Sequence, residues 1–460
     1  MFKIISGLAL LILVPVLATE FINASDATAG IQNKCTKHDE TDPALVARPT
    51  SGVVKVIRLS NQGEFIDRCE LTDVLDELVW DHPDARCAPA AENCFNSKVT
   101  IKPDAVSKPK LIVLYIHGWM HSSDDQDSNY REFRRLIASL ACSDHTKQTV
   151  GIYITWNAST GYWPLDYLSF WSRQRIADRI TQSAVVAKIV GTIGNTRDRS
   201  GKHDNFIAIG HSFGARMLFS AVNAPLVIDV ARAYPRSNSD TYQIARGPAD
   251  ATLLLNPAFE AARYTAINGL IRNEEVFSPL QPPLLITIST NNDWATETAF
   301  PAGQVLDLSF DKRARTTLGN YDRYYTHSLL PSDERECPIS NPSNITEKFF
   351  ASGLCLKRET DWHQQTDAMQ AEDPYGWSSV NPERQMFNPF LVVHTTKEVI
   401  DNHGGIWKGK VFSEWIFQVV KAIDYRNDRL TELDRTGSAV RGNAKSCDDK
   451  TSALTQSGDR

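Results

Sequence analysis

The chain has 460 residues, 42% of them hydrophobic, which is enough for a large core in one elaborated domain or two smaller ones. Lysine and arginine number 49 against 55 aspartate and glutamate, a net charge of −6 that excludes the basic footprint of a nucleic-acid partner.

Met1-Phe2-Lys3, the apolar run Ile4 to Ala18 and small residues near Ala18 or Ala24 describe a signal peptide over residues 1–24. The run is short for a bilayer span and contains Pro15, so a secreted or periplasmic protein is expected; an uncleaved membrane anchor is the alternative. Residues 25–50 are polar and read as a loose segment before a main domain over 51–427. The cysteines are Cys35, Cys69, Cys87, Cys94, Cys142, Cys337, Cys355 and Cys447, an even count that suggests disulfides in an exported chain. Cys87 with Cys94, and Cys337 with Cys355, are the expected pairs; buried free thiols are the alternative, which fits Cys142 best in its helical context.

Val53–Arg58 reads as an edge strand and Leu71–Trp80 as a helix. Lys110–Ile116 is a strand apolar on both faces, followed by the loop His117-Gly118-Trp119-Met120. Tyr130–Leu140 is an amphipathic helix and Val150–Thr155 another strand. Asn157-Ala158-Ser159, like Asn344-Ile345-Thr346, fits the glycosylation pattern. Trp156, Tyr162, Trp163, Tyr167, Phe170 and Trp171 fit helix–sheet core better than an acyl pocket. One long helix is expected over Phe170–Val190, with Arg173, Arg175, Asp178 and Arg179 on a solvated face. Gly194–Lys202 has the wrong spacing for a phosphate loop.

The apolar run Phe206–Ile209 leads into Gly210-His211-Ser212-Phe213-Gly214 and then a helical stretch. This is G-x-S-x-G between strand and helix, the setting of a nucleophile elbow, where a tight turn lifts the serine hydroxyl clear of the sheet. Side chains at Gly210 and Gly214 would collide with neighbouring backbone. A serine needs a base, and the base an orienting acid. In a parallel sheet these gather beyond the carboxyl ends of later strands. After the strands Ala251–Leu255 and Leu284–Ile288 comes Asp293, the expected acid, with Glu297 and Asp401 as competitors. Residues 303–388 then separate the last two strands, a span that reads as a lid or cap. Beyond the strand Phe390–Val393, His403 in a glycine-bearing loop is the expected base, with His394 as rival. A helix over Phe412–Ile423 precedes a charged, flexible tail over 428–460. The oxyanion donors expected are the N–H groups of Phe213 and Trp119, with Met120 second to Trp119. His117 and His121 are a poor metal pair, and His117 fits a loop brace better.

Continuous apolar strands alternating with helices mean an α/β fold, a mostly parallel sheet with helices on both faces. The loop at His117-Gly118-Trp119, the Ser212 pentapeptide, Asp293 and His403 together resemble the α/β-hydrolase superfamily, in its serine esterase/lipase branch, over roughly residues 50–425. The resemblance implies an eight-strand sheet, a Ser–His–acid triad and no cofactor; no metal is expected. The expected function is ester hydrolysis through an acyl-enzyme on a small-molecule or lipid ester, with membrane-surface contact allowed. The alternatives are an amidase, peptidase, thioesterase or acyltransferase on the same triad, or a secreted binding protein that keeps the fold without activity.

Overall fold

The computed structural model describes residues 52–79, 108–159, 169–200, 203–233, 244–273, 277, 281–300, 311–331, 354–358, 388–407 and 411–436. The signal peptide, the segment 25–50, Tyr162, Trp163, Tyr167 and the glycosylation pattern at Asn344 lie outside them. So do Cys87, Cys94 and Cys337, and with them both expected cysteine pairings. Cys69 and Cys142 are each disulfide-bonded, so the free-thiol alternative does not hold for Cys142.

The elements in chain order are β1 (Val53–Leu59), α1 (Cys69–Val79), β2 (Lys110–Ile116), α2 (Ser128–Ser143), β3 (Gln148–Trp156), α3 (Phe170–Gln182), α4 (Val185–Arg199), β4 (Asn205–His211), α5 (Phe213–Ala233), β5 (Ala251–Leu255), α6 (Thr265–Asn273), β6 (Leu285–Thr290), β7 (His327–Pro331), β8 (Leu354–Arg358), β9 (Phe390–Thr395) and α7 (Val411–Thr436). Short helical turns lie between some of them.

Among the described residues the sheet has nine strands, ordered β1-β3-β2-β4-β5-β6-β9-β7-β8. All neighbours pair in parallel except β7 with β8. Strands β2, β3, β4 and β5 are buried along their whole length, as continuous apolar runs require when helices cover both faces. Alternation divides β2 between two cores. Ile112, Leu114 and Ile116 face α1, α3, α4 and α5, whereas Leu111, Val113 and Tyr115 face α2 and α7. The chain runs outward from β2 in both directions, so the switch point lies between β2 and β4. Ile116 stands opposite Gly210 there, which brings the ends of the two strands level. Ligands of such sheets bind in the crevice beyond that point.

Three features depart from the expected layout. The helix expected over Phe170–Val190 is two helices, α3 and α4, broken at Ala184, whose φ is 57°. Unbroken to Arg199 it would reach roughly 45 Å, against about 30 Å for the longest strand. The turn keeps both halves on the sheet. The final helix continues to Thr436, so the flexible tail does not begin at 428. Residues 425–436 contain Arg426, Arg429, Leu430, Glu432, Leu433 and Arg435, strong helix formers that, with no glycine or proline among them, propagate a helix already nucleated on the core. Thirdly, the span read as a lid or cap supplies β7 and β8 to the sheet. Without them β9 would be an open edge, and β7 pairs it through Leu329 against Thr395. The Thr395 hydroxyl donates to the Leu329 carbonyl at 2.7 Å. These two strands raise the count above the eight that the resemblance implied.

Among the described residues one helix, α5, is long and apolar enough to cross a membrane, and 61% of its most apolar stretch is buried inside the fold.

Candidate active site

Strand β4 ends at His211 and α5 begins at Phe213, so Ser212 alone makes the turn between them. Its φ is 56°, a conformation that costs an L-residue energy and persists only when its surroundings enforce it. They do so through three backbone bonds. The Ser212 N–H donates to Leu255 O at 3.0 Å, and its carbonyl accepts from Arg216 N and Ala258 N, each at 3.2 Å. The flanking glycines are required by space. A Cβ on Gly210 would lie 2.7 Å from Ala215 Cα, and one on Gly214 would lie 2.1 Å from Ile116 O.

An ion cluster around buried Arg216 anchors the helix that follows. Arg216 is 2% exposed and grips both oxygens of Asp178, at 2.7 and 3.0 Å. It also donates to Glu260 Oε1 and to the Ala258 carbonyl. Arg263 closes the cluster on Glu260 and Asp178. Burial alone would raise the Glu260 pKa, but Arg216 and Arg263 outweigh it and hold the carboxyl below its ordinary value. The expected solvated face on α3 is therefore interrupted at two positions, one engaged in an ion pair and one buried. Asp178 pairs with a buried arginine, and Arg173 is 1% exposed with its guanidinium on the Asn157 carbonyl.

Three side chains far apart in sequence meet at the carboxyl ends of β4, β6 and β9. Ser212 Oγ lies 2.7 Å from His403 Nε2, and His403 Nδ1 lies 2.7 Å from Asp293 Oδ2. A carboxylate only accepts, so Nδ1 carries the proton and Nε2 is left to accept from the serine hydroxyl. Asp293 is 0% exposed, and its other oxygen accepts from the N–H groups of Ala295 at 3.0 Å and Thr296 at 3.1 Å. Burial pushes this carboxyl up, but His403 and the Thr296 bonds outweigh it, and the pKa falls below the ordinary 3.8. Asp293 therefore stays charged at neutral pH, with one oxygen committed to orienting the imidazole.

The competing residues lie elsewhere. Glu297 is exposed on the helical turn after Asp293, its pKa raised by burial and by Asp293. Asp401 accepts from the Asn402 side chain at 2.9 Å. His394 is in β9, its ring 5.3 Å from that of Tyr325.

The loop after β2 faces the elbow. His117 is wholly buried and braces it, with Nδ1 donating to Gly118 O at 2.8 Å and Nε2 accepting from Thr155 Oγ1 at 2.9 Å and Trp156 N at 3.3 Å. Burial pulls its pKa down to about 3, so the ring is neutral, and both nitrogens are occupied by protein. That removes the remaining case for a metal pair with His121. Met120, the second choice for an oxyanion donor on this loop, gives its N–H to Ala158 O at 3.0 Å. Phe213 opens α5 and has no carbonyl of its own helix within reach of its N–H. One ring packs on both residues: Phe170 lies edge-on to Trp119 at 5.2 Å and against Phe213 at 4.9 Å. Trp156 and Phe170 are buried, which fits the core reading of the described aromatics.

Sequence reasoning missed Asp127. Its Oδ1 caps α2 by accepting from Asn129 N and Tyr130 N. Its Oδ2 accepts from His121 Nδ1 and Ser122 N, each at 3.2 Å, which ties the loop to the helix. An aspartate just before the helical pattern is a legible cap signal, but its second task depends on the fold of the loop. Asn256 was also missed; it holds φ 42° just beyond β5 and is fully buried. The signal was Asn256-Pro257 at a strand end, where asparagine tolerates a positive φ.

No known protein-family model matches the chain, and no curated protein matches it. Among solved structures it is similar to the phospholipase PlaB from Legionella pneumophila in complex with thio-NAD, at 12% identity and a TM-score of 0.25. The match covers 48% of this chain and 46% of that one, so the chain spans under half the length of this neighbour.

Proposed function

We propose that the chain is an exported serine hydrolase that cleaves carboxylic esters through an acyl-enzyme. The observation that carries this reading is the unbroken relay from Ser212 Oγ through His403 to Asp293, at 2.7 Å per link. Ser212 attacks the ester carbonyl while His403 Nε2 takes its proton. The imidazolium is steadied by Asp293 and then protonates the leaving alkoxide. Water, deprotonated in turn by His403, hydrolyses the acyl group from Ser212. The oxyanion at each stage takes the N–H groups of Phe213 and Trp119, each worth about 10²–10³ in turnover. The substrate is a small-molecule or lipid ester, with no cofactor in the reaction.

Export is supported by the disulfide-bonded Cys69 and Cys142, since such bonds persist in oxidising compartments, and by the apolar run Ile4 to Ala18.

The test uses p-nitrophenyl esters of increasing chain length and a fluorophosphonate probe. The wild type is expected to turn over at least one ester and to take the label. Ser212→Ala, folded to the same thermal midpoint, is expected to do neither. An active Ser212→Ala protein overturns the reading.

A further inference from the structure

His403 is brought to Ser212 by a loop, and loops move more than the strands that carry the other two relay members. Three consecutive carbonyls of that loop are gripped by side chains from three strand ends. Asn292 Nδ2 donates to Asp401 O at 2.6 Å. Asn256 Nδ2 reaches Asn402 O at 3.3 Å and His403 O at 2.9 Å. His211 Nε2 donates to His403 O at 2.7 Å. Asn256 is itself fixed, because its Oδ1 accepts from Thr290 N at 3.1 Å at the end of β6.

We infer that His211, Asn256 and Asn292 are positioning residues that set the distance of the His403 imidazole from both of its partners. His211 immediately precedes the nucleophile and Asn292 immediately precedes the acid. The base's loop is therefore gauged against each partner by the neighbouring residue in the chain. The His211 ring lies 5.1 Å from that of His403 but bonds its backbone, leaving both imidazole nitrogens of His403 to the relay. Burial, with His403 and His121 nearby, holds the His211 pKa well below 6.5, so the ring is neutral with its one proton on the nitrogen that meets the carbonyl. The inference deepens the hydrolase reading and rests on it for its kinetic arm.

Four variants test it. Asn256→Asp keeps the acceptor for Thr290 and replaces the donor to the loop with an acceptor that repels the two carbonyls. His211→Leu removes the other donor to His403 O, and His211→Gln restores an N–H. Asn292→Ala is at an exposed position and preserves folding whatever the buried variants do. Asn256→Asp and His211→Leu are expected to lower kcat on a p-nitrophenyl ester by about 10²-fold with KM little changed, the scale of a 1 Å misplacement. His211→Gln is expected to recover most of the loss, and Asn292→Ala to lose roughly 3- to 10-fold on the same scale. The second arm needs no substrate. The downfield proton resonance of the His403–Asp293 bond is expected in the wild type, and weakened in the three donor-deleting variants. Unchanged kcat and an unchanged resonance in folded Asn292→Ala and Asn256→Asp would overturn the inference. An inert wild type whose resonance still weakens in these variants would instead sink the hydrolase reading and leave the positioning role standing.

Discussion

At the residue scale, the site depends on close approach as much as on reactive groups. Gly118 marks the limit. A Cβ there would lie 2.8 Å from both Ser212 Cβ and His211 Nδ1, so it would push the loop bearing Trp119 off the elbow. Gly118→Ala is expected to lower kcat on a p-nitrophenyl ester by about 10²-fold, since catalytic donors tolerate little displacement. Thermal melting should show the variant still folded, and wild-type turnover would refute the claim. The pentapeptide around Ser212 was readable from the sequence because its requirements are local: two glycines, one serine, a strand before and a helix after. The meeting of Asp293 and His403 with Ser212 could be anticipated because a parallel sheet gathers the loops past its strand ends. His211, Asn256 and Asn292 could not, because a side chain that holds a carbonyl more than a hundred residues away leaves no local periodicity.

At the element scale, short polar links coordinate one segment with the next. Asp127 serves a helix with one oxygen and the loop after β2 with the other. Burial raises its pKa, but His121 and the N–H groups of Tyr130 and Asn129 outweigh this and hold it below 3.8. The two tasks can be separated. Asp127→Asn keeps an oxygen for the cap and loses the acceptor for His121 and Ser122. It is expected to keep the denaturation midpoint near wild type while kcat falls. Asp127→Ala loses both and should cost in addition about 1 kcal/mol of stability, the usual value of a helix cap. A fall in midpoint equal for the two variants would contradict this division. The break at Ala184 belongs to the same scale. Apolar periodicity runs through it from α3 into α4, so the pattern shows a helix and conceals the turn.

At the scale of the whole molecule, the end of the sheet opposite the site is closed by ion pairs to α7. Arg426 Nη2 lies 2.5 Å from Asp250 Oδ1, Arg197 lies 3.2 Å from Asp250 Oδ2, and Lys147 pairs with Asp424. Burial would raise the Asp250 pKa, but Arg426, Arg197 and the Phe206 N–H outweigh it and lower it. The sign follows from linkage: the charged form is favoured in the folded state. Its contribution is whole above the ordinary carboxylate value near 3.8 and is lost as pH falls through the lowered one. Asp250→Asn is expected to cost about 3 kcal/mol at pH 7, as removal of one partner of a buried pair does. It should also flatten the decline in stability below about pH 4. Urea midpoints from pH 2.5 to 7 would show both, and an acid decline as steep as wild type would exclude Asp250 as its source.

The sequence by itself determined the class of sheet, the elbow and the order serine, aspartate, histidine, because these are written in short-range periodicity, turn chemistry and position after a strand. Only the tertiary structure decided that residues 327–331 and 354–358 extend the sheet, that Arg173 is buried and Asp178 pairs with buried Arg216, and that three polar side chains grip the loop of His403. The physical reason is the same in each case. An open strand edge, a buried charge or an unpaired carbonyl must find a partner, and folding, not neighbourhood in the chain, selects which residue supplies it.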